Sequence, residues 1–120
     1  MMTLMLACTM QQVDPHMGTN KGPATQSTVH IENSEAVASG MPGLADKLKL
    51  QATTRRSKVI DLRGAKTALG FDTWATLTPR RGGVYEMEWQ MIGEYARNGR
   101  HSVAVWQTGT CMPSAQGGIQ

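Results

Sequence analysis

Apolar and polar residues alternate singly along several short stretches of the chain, the pattern of strands that bury one face. The clearest stretch is Val84–Met91, where Tyr85, Met87, Trp89 and Met91 fall on one side and Glu86, Glu88 and Gln90 on the other. This register predicts that Trp89 is buried and Glu88 exposed. Ser27–Glu32 alternates in the same way, with Val29 and Ile31 inward, so His30 falls on the polar face, where nothing supports a ligand role. Lys58–Arg63, Leu69–Thr78 and Ser102–Gln107 read as further strands, as does the stretch from Leu48 through Thr54. Ser34–Ala38 reads as a single helical turn.

Turn chemistry separates these stretches. Gly40-Met41-Pro42-Gly43 breaks any regular element, and Pro79-Arg80-Arg81-Gly82-Gly83 is a turn without the Lys-Ser/Thr ending of a phosphate loop. Asn98-Gly99 is the strongest short hairpin signal, because both residues tolerate positive φ. About five or six short strands with little helix predict a mostly β fold, a small antiparallel β-sandwich, with a closed barrel as the alternative.

The first residues behave differently. Met1 through Thr9 is an apolar stretch that ends on Ala7 and Cys8, and it resembles the end of a bacterial lipoprotein signal peptide. There, small residues admit the peptidase and the cysteine thiol takes the lipid. No Lys or Arg precedes the stretch, and its length falls short of the usual apolar region of roughly 7–15 residues. Either a true start lies upstream or this is an ordinary apolar N-terminus. Residues 9–27 carry sparse apolar side chains broken by Pro15, Gly18, Gly22 and Pro23, the composition of a flexible linker. The expected organisation is a residual leader over 1–8, a linker over 9–27, a β-sandwich over 28–108 and a frayed tail over 109–120. Cys8 is the candidate lipidation site; pairing of Cys8 with Cys111 is the other use of the two cysteines.

Charge changes the picture in one place. The chain carries a formal +3, yet nine basic residues between Lys47 and Arg81 face only Asp61 and Asp72. Arg55, Arg56, Lys58, Arg80 and Arg81 are therefore candidate anion-contacting residues. Aromatic residues do not interleave with them as a single-strand nucleic-acid binder requires, so a solvated basic face is the favoured reading and nucleic acid the less favoured partner.

Catalytic chemistry has little support. Glu86 and Glu88 lie two apart on an open face rather than in a pocket that would shift a pKa. Cys111 has no base nearby in sequence. His16-Met17 with Met10 offers soft donors, but in a linker context and without clustered ligands; no metal and no cofactor is expected.

The stretch from Leu77-Thr78 through Gly99, with its aromatic strand Tyr85–Trp89, its turn at Asn98-Gly99 and the following Trp106-Gln107, resembles the YcfL-like family of small periplasmic lipoproteins of Gram-negative bacteria. The resemblance implies an immunoglobulin-like sandwich, a lipid anchor at Cys8 on the periplasmic face of the outer membrane, an envelope protein as partner, and no catalytic residues. The expected function is thus a non-enzymatic, lipid-anchored envelope protein that binds or assembles, with a small basic nucleic-acid-binding protein as the alternative.

Overall fold

The computed structural model describes residues 3–14, 20–40, 47–64, 71–95 and 100–114. Eight antiparallel strands run in chain order around a closed barrel. They are β1 (Thr3–Val13), β2 (Asn20–Glu32), β3 (Glu35–Ser39), β4 (Lys47–Thr54), β5 (Ile60–Gly64), β6 (Phe71–Pro79), β7 (Tyr85–Tyr95) and β8 (Arg100–Pro113). β8 pairs with β1 from Leu6↔Pro113 to Gln12↔Gln107, and this pairing shuts the sheet on itself. The expected β-sandwich is therefore corrected to a barrel. Closure abolishes the unpaired edges that two stacked sheets would leave.

The strand pattern itself explains the layout. Val29, Ile31, Ile60, Leu62, Ala75, Leu77, Met87 and Trp89 alternate with polar neighbours, and all are buried. Glu88, half-buried, points to the opposite face, where it accepts a hydrogen bond from Trp106 Nε1 at 2.9 Å. Outward positions hold Glu35, Lys49, Gln51, Arg63, Asp72 and Glu86, all exposed. Apolar residues inside and charged residues outside are the inverse of a membrane-spanning barrel, whose outer band is apolar.

The N-terminal third departs most from expectation. The stretch expected as leader and linker forms β1 and β2, two long strands of the wall. β2 is paired on both sides only over Thr28–Glu32; above that, Gln26 to Asn20 pairs with β1 alone. Among the described residues this half of β2 pairs on one side only, a position that tolerates Pro23 and exposed Thr25 and Gln26, which is why the segment reads as linker. Ser34–Ala38 is not a helical turn: Glu35–Ser39 is β3, with Ala36 and Ala38 inward. Small alanines there match the barrel's need for small residues opposite large ones. The expected frayed tail is likewise strand as far as Pro113. The Asn98-Gly99 turn lies outside the described residues, and the strands flanking it pair up to Tyr95↔Arg100.

The two ends of the barrel differ. At one, short turns join β2 to β3, β4 to β5 and β6 to β7. Asn33 and Lys58 take positive φ there, 59° and 65°, the kind of backbone a tight reversal needs. Buried Leu6, Ile31, Ile60 and Leu77 pack just inside this end. At the other end β1 stops at Val13, β3 at Ser39, β5 at Gly64 and β7 at Tyr95.

Candidate functional site

Among the described residues, those singled out from sequence do not assemble into a reactive centre. Cys8 and Cys111 are register partners on the closing strands, fully buried, and joined by a disulfide with a Cα–Cα distance of 4.0 Å. Met87 Sδ lies 3.6 Å from Cys111 Sγ; with both cysteines oxidised this is a packing contact, since no S–H remains to donate. A sulfur bonded to Cys111 has no thiol left for a lipid, so disulfide and lipid exclude each other at Cys8.

The five candidate anion-contacting residues do share one end of the barrel, in the turns after β4 and β6. Two of them are already paired: Arg55 with Asp61 at 2.9 Å and Arg80 with Glu86 at 2.9 Å. Hydrogen bonding and charge from Arg80 hold the Glu86 carboxyl below its ordinary pKa, and Glu86 in turn raises that of Arg80. Arg56, Lys58 and Arg81 are exposed. This rim is an open, hydrated surface, and two of its five cations are spent on local carboxylates. Glu86 and Glu88 are thus held by Arg80 and Trp106 and form no acid–base pair. His16 and Met17 lie outside the described residues, and Met10 is part of the core. Among the described residues no group of three or more metal-ligating side chains gathers.

The unusual chemistry is inside. Heights within the barrel follow from the stagger of its strands. Thr3 faces Glu32, which faces Glu35, and the walk continues through Gln51, Arg63, Trp74 and Gln90 to Trp106. Trp106 adjoins Gln107, the partner of Gln12. One circuit thus climbs about ten residues along β1, the coupling of stagger and tilt that closure imposes. Level positions therefore lie a little more than one residue below the register line at each strand. On this geometry the inward residues form layers. Nearest the short turns come Leu6, Ile31, Ile60 and Leu77. The next holds the disulfide with Val29, Leu62 and Met87. The third holds Met10, Ser27, Gly64, Thr73, Trp89 and Gln107.

This third layer is polar, and four of its polar atoms are idle. Ser27 Oγ, Thr73 Oγ1, Trp89 Nε1 and Gln107 Oε1 are all buried without a hydrogen-bond partner. Ser27, Thr73 and Gln107 are also the only buried polar or charged residues among those described. The fifth unpartnered atom, Asp61 Oδ1, belongs to an outer-face carboxylate whose other oxygen meets Arg55. An unsatisfied buried donor or acceptor costs about 1–3 kcal/mol, so each one calls for a cause. The outer tryptophans make the contrast plain: Trp106 donates to Glu88, and Trp74 lies under the Arg63 guanidinium at 5.9 Å, while Trp89 donates to nothing. Gly64 belongs to the layer for steric reasons, because a side chain there would run into Thr73 Oγ1 and Leu50 Cδ2.

Open grooves on the outer wall offer less. One of 780 Å³ crosses β3, β4 and β5, lined in part by Glu35, Lys49, Gln51 and Arg63, whose exposed groups are free to bond water.

Comparison with family models, with curated proteins and with solved structures returns no match. Nothing in these comparisons bears on the resemblance to the YcfL-like family. Sequence reasoning named Trp89 as core but missed the site. The available signal was polarity on an inward parity: Thr73 lies two residues before Ala75, Gln107 two before Gly109, and Ser27 two before Val29. Only barrel closure reveals that the three meet at one height.

Proposed function

We propose that this chain is a small-molecule-binding barrel whose site is the polar layer formed by Ser27, Thr73, Trp89 and Gln107. The observation that carries the reading is the coincidence of these unpartnered atoms at one level of an otherwise apolar interior. Eight-stranded barrels have an interior just wide enough to be filled by side chains or to hold one small ligand. Stability alone gives no reason to keep four idle polar atoms in a core. The described layer is shielded from solvent.

The disulfide fits an oxidising compartment, which agrees with an envelope or secreted setting. It also argues for a role of Cys8 in closing the barrel rather than in anchoring lipid. Intact mass without reductant separates the two, because a lipidated Cys8 adds the mass of acyl chains and leaves Cys111 free.

Thermal-shift screening with uncharged polar, charged and purely apolar compound classes tests the reading. A saturable rise in Tm is expected from the uncharged polar class, since a ligand that binds only the folded state stabilises it by RT ln(1 + [L]/Kd). The rise should vanish in the Thr73→Val/Gln107→Leu variant. A screen in which no class raises Tm overturns the proposal.

A further inference from the structure

We infer that the outer wall carries a second site, separate from the polar layer, which takes a small carboxylate on Arg63. A groove of 330 Å³ crosses β4, β5 and β6 beside the turn that follows β4, and it is lined by Gln51, Thr53, Arg55, Asp61, Arg63 and Trp74. Register builds it. Gln51, Arg63 and Trp74 are partners in one row across the three strands, and Thr53 and Asp61 are partners in the next. Strand alternation turns all five away from the core.

Charge decides what the groove takes. It holds two cations and one carboxylate. Arg55 Nε lies 2.9 Å from Asp61 Oδ2, so these two offset each other. Arg63 is left over. It is exposed, and its guanidinium lies over the Trp74 ring at 5.9 Å. The 780 Å³ groove alongside shares Arg63 and adds Glu35 and Lys49, which balance one another. Among the described residues that line the two grooves, the sum is therefore one positive charge. Its complement is a ligand with a single negative charge. A phosphate monoester, close to doubly charged at neutral pH, exceeds it.

Trp74 does more than border the groove. An indole face attracts a guanidinium and limits its freedom, so less is lost when its N–H groups take up a ligand. Those groups form a planar fork that matches the two oxygens of a carboxylate. A carboxylate is flat as well as singly charged, which suits a fork held over an aromatic ring. The Gln51 amide and the Thr53 hydroxyl, both exposed, are further donors on the same groove.

The test uses the isotope-labelled full chain with its disulfide intact and follows the Arg63 Nε–H and the indole N–H signals in proton–nitrogen correlation spectra. Arg63→Lys and Trp74→Phe assign the two groove signals. The probes are sodium acetate, dimethyl phosphate, and sodium chloride at matched ionic strength. Acetate should move the Arg63 and Trp74 signals together and saturate by about 10 mM, within reach of one charge-assisted contact. Buried Trp89 and Trp106, two strands away on β8, should stay in place. Arg63→Gln, at an exposed position, should abolish the response of Trp74. Arg63→Lys keeps the charge without the fork and should weaken it about tenfold, the loss of one charge-assisted hydrogen bond. Chloride acting as acetate does would reduce the effect to ionic screening and overturn the inference. Tighter binding of dimethyl phosphate than of acetate overturns it, as does undiminished acetate binding by Arg63→Lys. It also falls if no probe moves either signal. The polar layer is reported by Trp89, so each of these outcomes is distinct from the fate of the proposal made for that layer.

Discussion

Near the short turns, the fully buried side chains Leu6, Ile31, Ile60 and Leu77 meet as an ordinary hydrocarbon core. Beyond the disulfide, Ser27, Thr73, Trp89 and Gln107 face the same lumen with polar atoms that bond nothing. Both regions lie on the same strands: Leu77 and Thr73 are inward residues of β6, four positions apart. One wall thus carries two kinds of interior. Burial of the first kind drives folding, whereas burial of the second opposes it. Recognition of a polar ligand is the use proposed for the second kind.

The comparison can be broken hardest at the disulfide. It joins strands 103 residues apart in sequence and clamps the barrel's closing seam. Removing it by Cys8→Ser/Cys111→Ser should cost about 2–5 kcal/mol in denaturant unfolding. A loss under about 1 kcal/mol would mean that the β1–β8 pairing holds without help.

Next comes the apolar end. Leu77→Ala should cost about 2–5 kcal/mol, the transfer term plus an unfilled cavity. A much smaller loss would show that this end is loosely packed and that the contrast between the two regions is overdrawn.

The smallest effect lies outside both. Because Arg80 lowers the Glu86 pKa, the pair's contribution is present above the ordinary carboxylate pKa and fades as pH falls through the lowered one. Both groups are exposed, so Glu86→Gln should flatten the acid limb of the stability profile only slightly. A large change would point to a role for the basic rim that its solvation does not suggest.

Much of the wall was legible in the chain. Val84–Met91 announces its period through four large apolar residues, and Trp89 sits where that period puts it. Closure was not legible, because a strand's own alternation says nothing about which neighbour it meets. β8 pairs with β1 across nearly the whole sequence, and no local signal records that partnership. β1 and the outer half of β2 were misread for a related reason. A short apolar run ending in Cys8 has the composition of a leader, and a strand that pairs on one side only among the described residues can be as polar as a linker. β3 was misread because Ala36 and Ala38 favour helix locally, and only pairing with β2 and β4 extends them. The site stayed hidden because Ser27, Thr73 and Gln107 are unremarkable one at a time; their meaning comes from sharing one height inside a closed sheet.

The central claim, that the third layer is kept for recognition at the expense of stability, is tested most directly by equilibrium unfolding of the ligand-free Thr73→Val/Gln107→Leu variant against the parent chain. Both substitutions keep the side-chain size nearly constant and remove idle polar atoms. The account predicts that the variant is more stable by about 1–3 kcal/mol. A variant less stable than the parent would show that these groups are satisfied within the folded chain, and the polar layer would then be part of the core rather than a site.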